Sequence, residues 1–294
     1  MEQTIEVYIR GCSKQTVVIQ TGMTCSFYDW FPIIEKLSQH FTVVSYHRPG
    51  YGKSELGNHS RTTRQTTKEL HMLLQKLDIH DPIILIGHSY GGLCAQHFAM
   101  LHEDKLQALI LVDSTSMNLH RLDELHLPIS NQTDSDDMWF QKYNTYSKMD
   151  VHMLSNELKH ILANQSRQYI EFSTSPLLYK AAASELCEWK NCARSLKELY
   201  KILKVPLIVI GRDPQYFTQL TEGGMPKEEA TRLETMWQEL IHEQLQLSIH
   251  SQYILAEHAG HGIENDRPDI IIEAIHSLKI KKEATKAASL LIYS

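Results

Sequence analysis

The stretch that decides the fold is Ile83-Ile84-Leu85-Ile86-Gly87-His88-Ser89-Tyr90-Gly91-Gly92. Its first half is an unbroken apolar run. A strand covered on both faces is apolar throughout rather than alternating, so the run predicts a buried parallel strand. Gly-x-Ser-x-Gly follows, and then a helix-compatible segment, Leu93-Cys94-Ala95-Gln96-His97-Phe98-Ala99. Gly87 and Gly91 omit side chains where the backbone must turn sharply and the helix must pass close to the strand. Strand, turn and helix form a corner that holds the Ser89 hydroxyl out at the end of a sheet, a nucleophile elbow.

Outward from this corner, β-rich and helical segments alternate, which is the pattern of a mostly parallel sheet with helices on both faces. Strands are expected over 5–9, 16–20, 42–46, 83–87, 108–113, 205–211 and 251–256, and helices over 29–38, 63–77, 227–245 and about 268–281. Leu70, Leu73, Leu74 and Leu77 carry helical spacing in the second of these helices. After Asp113 the alternation stops. Residues 114–204 hold only amphipathic helical patterns, at 136–146, 154–164, 176–189 and 194–203, with Ser175-Pro176 as a helix start. The expected organisation is therefore an α/β core of residues 1–113 and 205–294, with an all-helical cap, residues 114–204, inserted between two core strands. The chain shows no internal repeat, and residues 283–294 carry no clear pattern.

Composition narrows the function. The chain has 294 residues, is 42% hydrophobic and carries a formal net charge of −6, ample for a sizeable core. The acidic balance, without a basic block, argues against nucleic-acid binding. No apolar stretch approaches the length of a membrane span, so no membrane partner is expected. Met1-Glu2-Gln3-Thr4 is acidic where a signal peptide needs basic and apolar residues, and the five cysteines are scattered. Reduced thiols and a cytoplasmic location are the expectation.

A Ser hydroxyl is a weak nucleophile at neutral pH and needs a His base, an acid to orient it, and donors for the oxyanion. An elbow of this kind takes them in the chain order Ser, acid, His. Among 17 histidines, His261 stands in Ala259-Gly260-His261-Gly262, just past the last expected strand; His258 on the same loop is its decoy. His88 is read as packing, its side chain leaving the elbow on the other side. The favoured acid is Asp213, after the first strand beyond the cap, with Asp113 as the alternative; an Asp before Pro214 is also a common turn former. The backbone N–H groups of Tyr90 and Met23 are the expected oxyanion donors, because Gly22 lets the early loop turn inward.

These motifs resemble the α/β-hydrolase superfamily over nearly the whole chain. The resemblance is carried by Thr21-Gly22-Met23, Arg48-Pro49-Gly50-Tyr51-Gly52-Lys53-Ser54, Gly87-His88-Ser89-Tyr90-Gly91-Gly92 and Gly260-His261. It implies an α/β-hydrolase fold with a helical cap and a Ser89–His261–Asp213 triad working through an acyl-enzyme on a small carboxylic ester. An amide, lactone, thioester or carbon–carbon bond could be served by the same residues. Relatives that open epoxides or cleave haloalkanes use Asp at the nucleophile position, where this chain has Ser89. The early loop reads Thr-Gly where many members have His-Gly, and Asp213 is one residue closer to Gly211 than in many relatives.

Other patterns lead elsewhere and are weaker. Gly52-Lys53-Ser54 mimics the end of a phosphate-binding loop, but position 47 is His where that loop needs Gly. His258-x-x-His261 lacks a third ligand, so no metal is expected, and acyl transfer through Ser89 requires no organic cofactor. The partner is a small-molecule substrate. The aromatic residues of the cap (Trp139, Phe140, Tyr143, Tyr146, Phe172, Tyr179, Trp189) line a pocket or form the cap's own core. A rival from another class is a ligand sensor or scaffold that keeps the fold and turns over slowly or not at all.

Overall fold

The computed structural model describes residues 4–132 and 134–278. Among these, seven strands form one sheet in the order β1-β3-β2-β4-β5-β6-β7. They are β1 (Val7–Arg10), β2 (Thr16–Gln20), β3 (Thr42–Tyr46), β4 (Ile83–His88), β5 (Leu106–Val112), β6 (Leu207–Arg212) and β7 (Ser251–Ala256). Only β1 runs antiparallel, at the edge beside β3. All six residues of β4 are buried, as an apolar strand covered on both faces requires. Alternate side chains enter two cores: Ile83 and Leu85 pack on one face, Ile84 and Ile86 on the other.

The chain reverses its direction of travel across the sheet between β3 and β4. It leaves β2 for β3 on one side and returns to place β4 on the other. The carboxyl ends of β2 and β4 are thus neighbours at a topological switch point, the usual place for a ligand in an open α/β sheet. Helices α1 (Phe31–Leu37), α2 (Thr63–Lys76) and α3 (Tyr90–Leu101) follow β2, β3 and β4. From Tyr90 to Met100 every residue of α3 is buried. A helix apolar on nearly all sides belongs at the centre of a molecule.

Between β5 and β6 the described residues contain helices and no strand of the sheet. They are α4 (Asp136–Tyr146), α5 (Val151–Glu157), α6 (Lys159–Leu162), α7 (Arg167–Ser173) and α8 (Pro176–Glu198), preceded by short 3-10 turns. The bounds of α4 match the expectation. The expected helices at 176–189 and 194–203 are one helix, since no breaker lies between them, and it ends at Glu198. The expected helix at 154–164 is two short ones, and α7 was not foreseen. Beyond β6 come α9 (Phe217–Glu222), α10 (Lys227–Glu243), α11 (Ile263–Asp266) and a helix over 268–278. The expected continuation of that helix to 281, and residues 283–294, lie outside the described residues. Among the described residues no helix is long and apolar enough to cross a membrane, and all five cysteines are free.

Candidate active site

Ser89 stands between β4 and α3 with φ 52° and ψ −126°, in the left-handed half of backbone space. Such a conformation is strained for a residue with a Cβ and persists only where its surroundings enforce it. Two glycines show how. A Cβ on Gly87 would lie 2.6 Å from the Gly91 carbonyl oxygen, and one on Gly91 would lie 2.4 Å from the carbonyl oxygens of both Gln20 and Thr21. The turn closes only with no side chain at either position, and α3 then starts against the end of β2.

The hydroxyl of Ser89 is 3.0 Å from Nε2 of His261, which lies on the loop after β7. On the other side of the ring, Nδ1 of His261 is 2.6 Å from Oδ2 of Asp113. Asp113 follows β5 at φ 36° and is completely buried. Its Oδ1 accepts the indole N–H of Trp237 at 2.9 Å, and Nη1 of Arg212 donates to Oδ2 at 3.3 Å. Burial alone would raise the Asp113 carboxyl. The Arg212 guanidinium, and then the contacts from His261 and Trp237, outweigh burial and hold it below the usual carboxylate range.

The expected acid, Asp213, does not meet His261. Its Oδ1 accepts the backbone N–H of Gln215 and its Oδ2 that of His258, each at 2.8 Å. It is the turn-forming Asp before Pro214, and those amide donors hold its carboxyl low. The reason is strand phase. Successive side chains leave a strand on opposite sides. Arg212, the last residue of β6, faces Asp113 across the neighbouring strand, so Asp213 faces away. Asp113, kept as the alternative, occupies the place beside the imidazole.

His258 is exposed and belongs to the same turn as Asp213. His88 is buried as expected, but its role is more specific than packing: Nε2 is 2.9 Å from the carbonyl oxygen of His261, so the ring helps seat the His261 loop. Burial pushes the His88 imidazole toward its neutral form. Arg212 and Trp237 were missed. Arg212 adjoins the favoured Asp and could have been weighed with it; nothing in the pattern around Trp237 marks it.

The loop after β2 passes directly over the elbow. A Cβ on Gly22 would lie 3.2 Å from that of Ser89. Among the described residues the backbone N–H groups of Met23 and Tyr90 have no hydrogen-bond acceptor. Tyr90 opens α3, so its N–H is one that helix geometry leaves unpaired.

Met23, Ser89, Tyr90 and His261 all border a cavity of about 800 Å³. Its walls include Leu122, Leu127, Leu186 and Trp189 from the helical insert, Arg212 from the end of β6, and Tyr216 and Trp237 from the segments after it. Of the insert's aromatics, Trp139, Tyr143 and Trp189 border the cavity, Phe140 is exposed, and Tyr146, Phe172 and Tyr179 pack with Leu154, Leu158 and Leu162 in a cluster that Tyr51, from the loop after β3, also joins. Among the described residues no group of three or more His, Cys, Asp or Glu could hold a metal ion.

Comparison with known proteins agrees with this architecture. The uncharacterized protein YqjL of Bacillus subtilis is 26% identical over 273 residues, covering 92% of this chain and 85% of that protein. A pimeloyl-acyl-carrier-protein methyl ester esterase of Citrobacter koseri is 37% identical over 86 residues, which cover 29% of this chain and 31% of the esterase. The solved structure of the epoxide hydrolase CorEH superposes with a TM-score of 0.67 at 18% identity, over 94% of this chain and 97% of that one. The family model of the alpha/beta hydrolase fold matches residues 15–185, more than half of the chain. The parallel sheet, the strained corner after β4 and this match lead to one conclusion: the chain belongs to the alpha/beta hydrolase fold family.

Proposed function

We propose that this chain is a serine hydrolase that cleaves a small carboxylic ester through an acyl-enzyme. The observation that carries the reading is the unbroken line from the Ser89 hydroxyl through His261 to Asp113, opening on a cavity. Ser89 attacks the acyl carbonyl while Nε2 of His261 takes its proton. The imidazolium so formed is stabilised through Nδ1–H by Asp113, which is kept ionised by Arg212 and Trp237. The tetrahedral oxyanion is bound by the backbone N–H groups of Met23 and Tyr90. His261 then protonates the leaving alcohol. In the second half it activates a water that releases the acid and regenerates Ser89.

The helices of residues 114–204 act as a cap over this machinery, since they supply one wall of the cavity. Ester cleavage is favoured by the similarity to a methyl ester esterase. The epoxide hydrolases among the similar proteins do not extend that chemistry here, because position 89 is Ser and not the Asp their family relatives use.

The test is labelling with a fluorophosphonate probe together with turnover of p-nitrophenyl esters of graded chain length. The native protein is expected to be labelled at Ser89 and to turn over short esters, and Ser89→Ala to lose both. An unlabelled native protein, or equal turnover by Ser89→Ala, refutes the reading.

A further inference from the structure

The loop that carries Met23 is held by two buried side chains, and both are held in turn by a third from the helical insert. Arg48, in the loop after β3, is 2% exposed. Its Nη1 donates to the carbonyl of Thr21 at 2.6 Å and its Nη2 to that of Gly22 at 2.9 Å. The same guanidinium donates through Nε to Oε1 of Glu185 at 2.8 Å and through Nη2 to Oε2 at 3.2 Å. Glu185 lies on α8, on the insert, and is completely buried. The Tyr51 hydroxyl donates to Oε2 of Glu185 at 2.6 Å and accepts the backbone N–H of Thr24 at 3.0 Å.

The covalent geometry of the peptide gives this arrangement a consequence. In a trans peptide the C=O and N–H point in opposite directions. The Gly22 carbonyl and the Met23 N–H belong to one peptide unit. Drawing that carbonyl to Arg48 turns the Met23 N–H to the opposite side. The next peptide is fixed through the Thr24 N–H by Tyr51. The Gly22 carbonyl also accepts the Cys25 N–H, at the longer distance of 3.4 Å, but the side chains that hold both peptide planes around Met23 converge on the single carboxylate of Glu185.

We propose that Arg48, Tyr51 and Glu185 are positioning residues for the oxyanion donor at Met23, and that Glu185 makes the seating of the helical insert a condition for that donor to be in place. The inference rests on the assignment of the Met23 N–H proposed above. Its physical basis is the cost of leaving a buried charge unpaired. With α8 seated, Arg48 has Glu185 and holds two carbonyls of the loop. With α8 displaced, the guanidinium loses its counter-charge, seeks water and releases them. An insert that lifts to admit substrate therefore relaxes the oxyanion site, and its return rebuilds the site over the bound ester. Catalytic competence and exclusion of water arrive together.

The test compares the native protein with Glu185→Gln, Arg48→Lys and Tyr51→Phe. The readouts are kcat and KM on p-nitrophenyl butyrate, inhibition by a propyl trifluoromethyl ketone, and inhibition by 1-butanol. The ketone forms an adduct with Ser89 whose oxyanion needs the donors; the alcohol does not. Each variant is expected to lower kcat about 10–100-fold, somewhat less than outright loss of an oxyanion donor. KM is expected to stay within about threefold, and ketone inhibition to weaken in proportion to kcat while alcohol inhibition is unchanged. Native kcat and ketone inhibition in the variants would overturn the proposal. So would parallel losses in ketone and alcohol inhibition, which mark general damage to the fold. If the two charge variants do not fold, Tyr51→Phe, which deletes one hydroxyl, decides by the same ratio. A native protein unlabelled by fluorophosphonate would instead refute the functional reading itself, and the positioning role with it.

Discussion

Asp113 is a fully buried carboxylate among a guanidinium, an imidazole and an indole, and its charge survives burial because all three donate to it or attract it. Asp113→Asn would keep the shape but remove the charge that steadies a protonated His261. Ester turnover is expected to fall by about 10²–10⁴-fold, whereas Asp213→Asn changes it by no more than about threefold. The opposite ranking in steady-state kinetics would refute the assignment. The residue scale also shows where sequence reading stops. Ser89 and His261 were legible because each stands in a Gly-bounded loop at a strand end. The choice between Asp113 and Asp213 depended on the phase of β6 at its last residue, and one residue of phase turns a side chain to the other face. Connectivity alone is no guide either. Ser26 Oγ lies 2.9 Å from Nε2 of His47, whose Nδ1 lies 2.7 Å from Glu6 Oε2, a second line from hydroxyl through imidazole to carboxylate. Yet Ser26 and His47 are completely buried, and the Ser26 hydroxyl accepts the Tyr28 N–H as a helix cap. Ser26→Ala is expected to cost about 1–3 kcal/mol of stability in denaturant titration, through a lost cap and an unpaired His47 nitrogen. Mass spectrometry of the fluorophosphonate-labelled variant should still find the probe on Ser89 alone.

The elbow was the most legible element, because its glycines, its apolar strand and its helix all point to one backbone path. Its tightness is backbone against backbone, so it has little capacity to relax. Gly91→Ala would drive a methyl to 2.4 Å from two carbonyl oxygens of the β2 end. A loss of about 1–3 kcal/mol is expected in thermal or denaturant unfolding, with a loss of ester turnover because the β2 loop carries Met23. Helix α3 also holds a pH-sensitive group. His97 is buried, with Nδ1 at 2.9 Å from Thr63 Oγ1, and burial, then Arg64, pushes its imidazole down from 6.5 to about 4. The folded form therefore holds His97 neutral where the unfolded chain protonates it. Its contribution to stability is complete above pH 6.5 and is lost as pH falls through that value toward about 4. Against His97→Gln, which does not titrate, the native protein should lose up to about 3 kcal/mol over that window. Melting curves of both proteins between pH 4 and 7 check this, and a constant difference between them would refute it. The helices of the insert were legible as helices but not in their breaks: the continuous α8 was expected as two pieces, while α5 and α6 were expected as one. Such boundaries are set by what each helix packs on, and local propensity only weakly constrains them.

At the scale of the whole molecule, the switch point between β2 and β4 puts the Met23 loop and the elbow side by side, and residues of the helical insert line the cavity they border. The alternation of strands and helices announced this sheet, and where the alternation stops after Asp113 the chain between β5 and β6 is helical. The shape of the cavity was not legible, because its lining is drawn from segments far apart in the chain, from Met23 through Leu122 and Trp189 to Met225 and Trp237. That shape sets which acyl groups fit. Trp189, on α8, is half-buried, packs against the larger core and borders the cavity with Leu186. Removing its indole while keeping the helix would lengthen the space available beyond Ser89 without touching the reacting atoms. A methylene seated in an apolar pocket is worth about 1–3 kcal/mol, so the gain should grow with chain length until the new space is filled. Trp189→Ala is therefore expected to raise kcat/KM for p-nitrophenyl octanoate relative to the acetate by about tenfold or more, while kcat on the acetate changes little. Since Trp189 also contributes to packing, the melting temperature should fall, and the ratio of the two esters, which is insensitive to the amount of folded protein, is the quantity to compare. An unchanged ratio would mean that the acyl chain lies elsewhere in the cavity, away from Trp189.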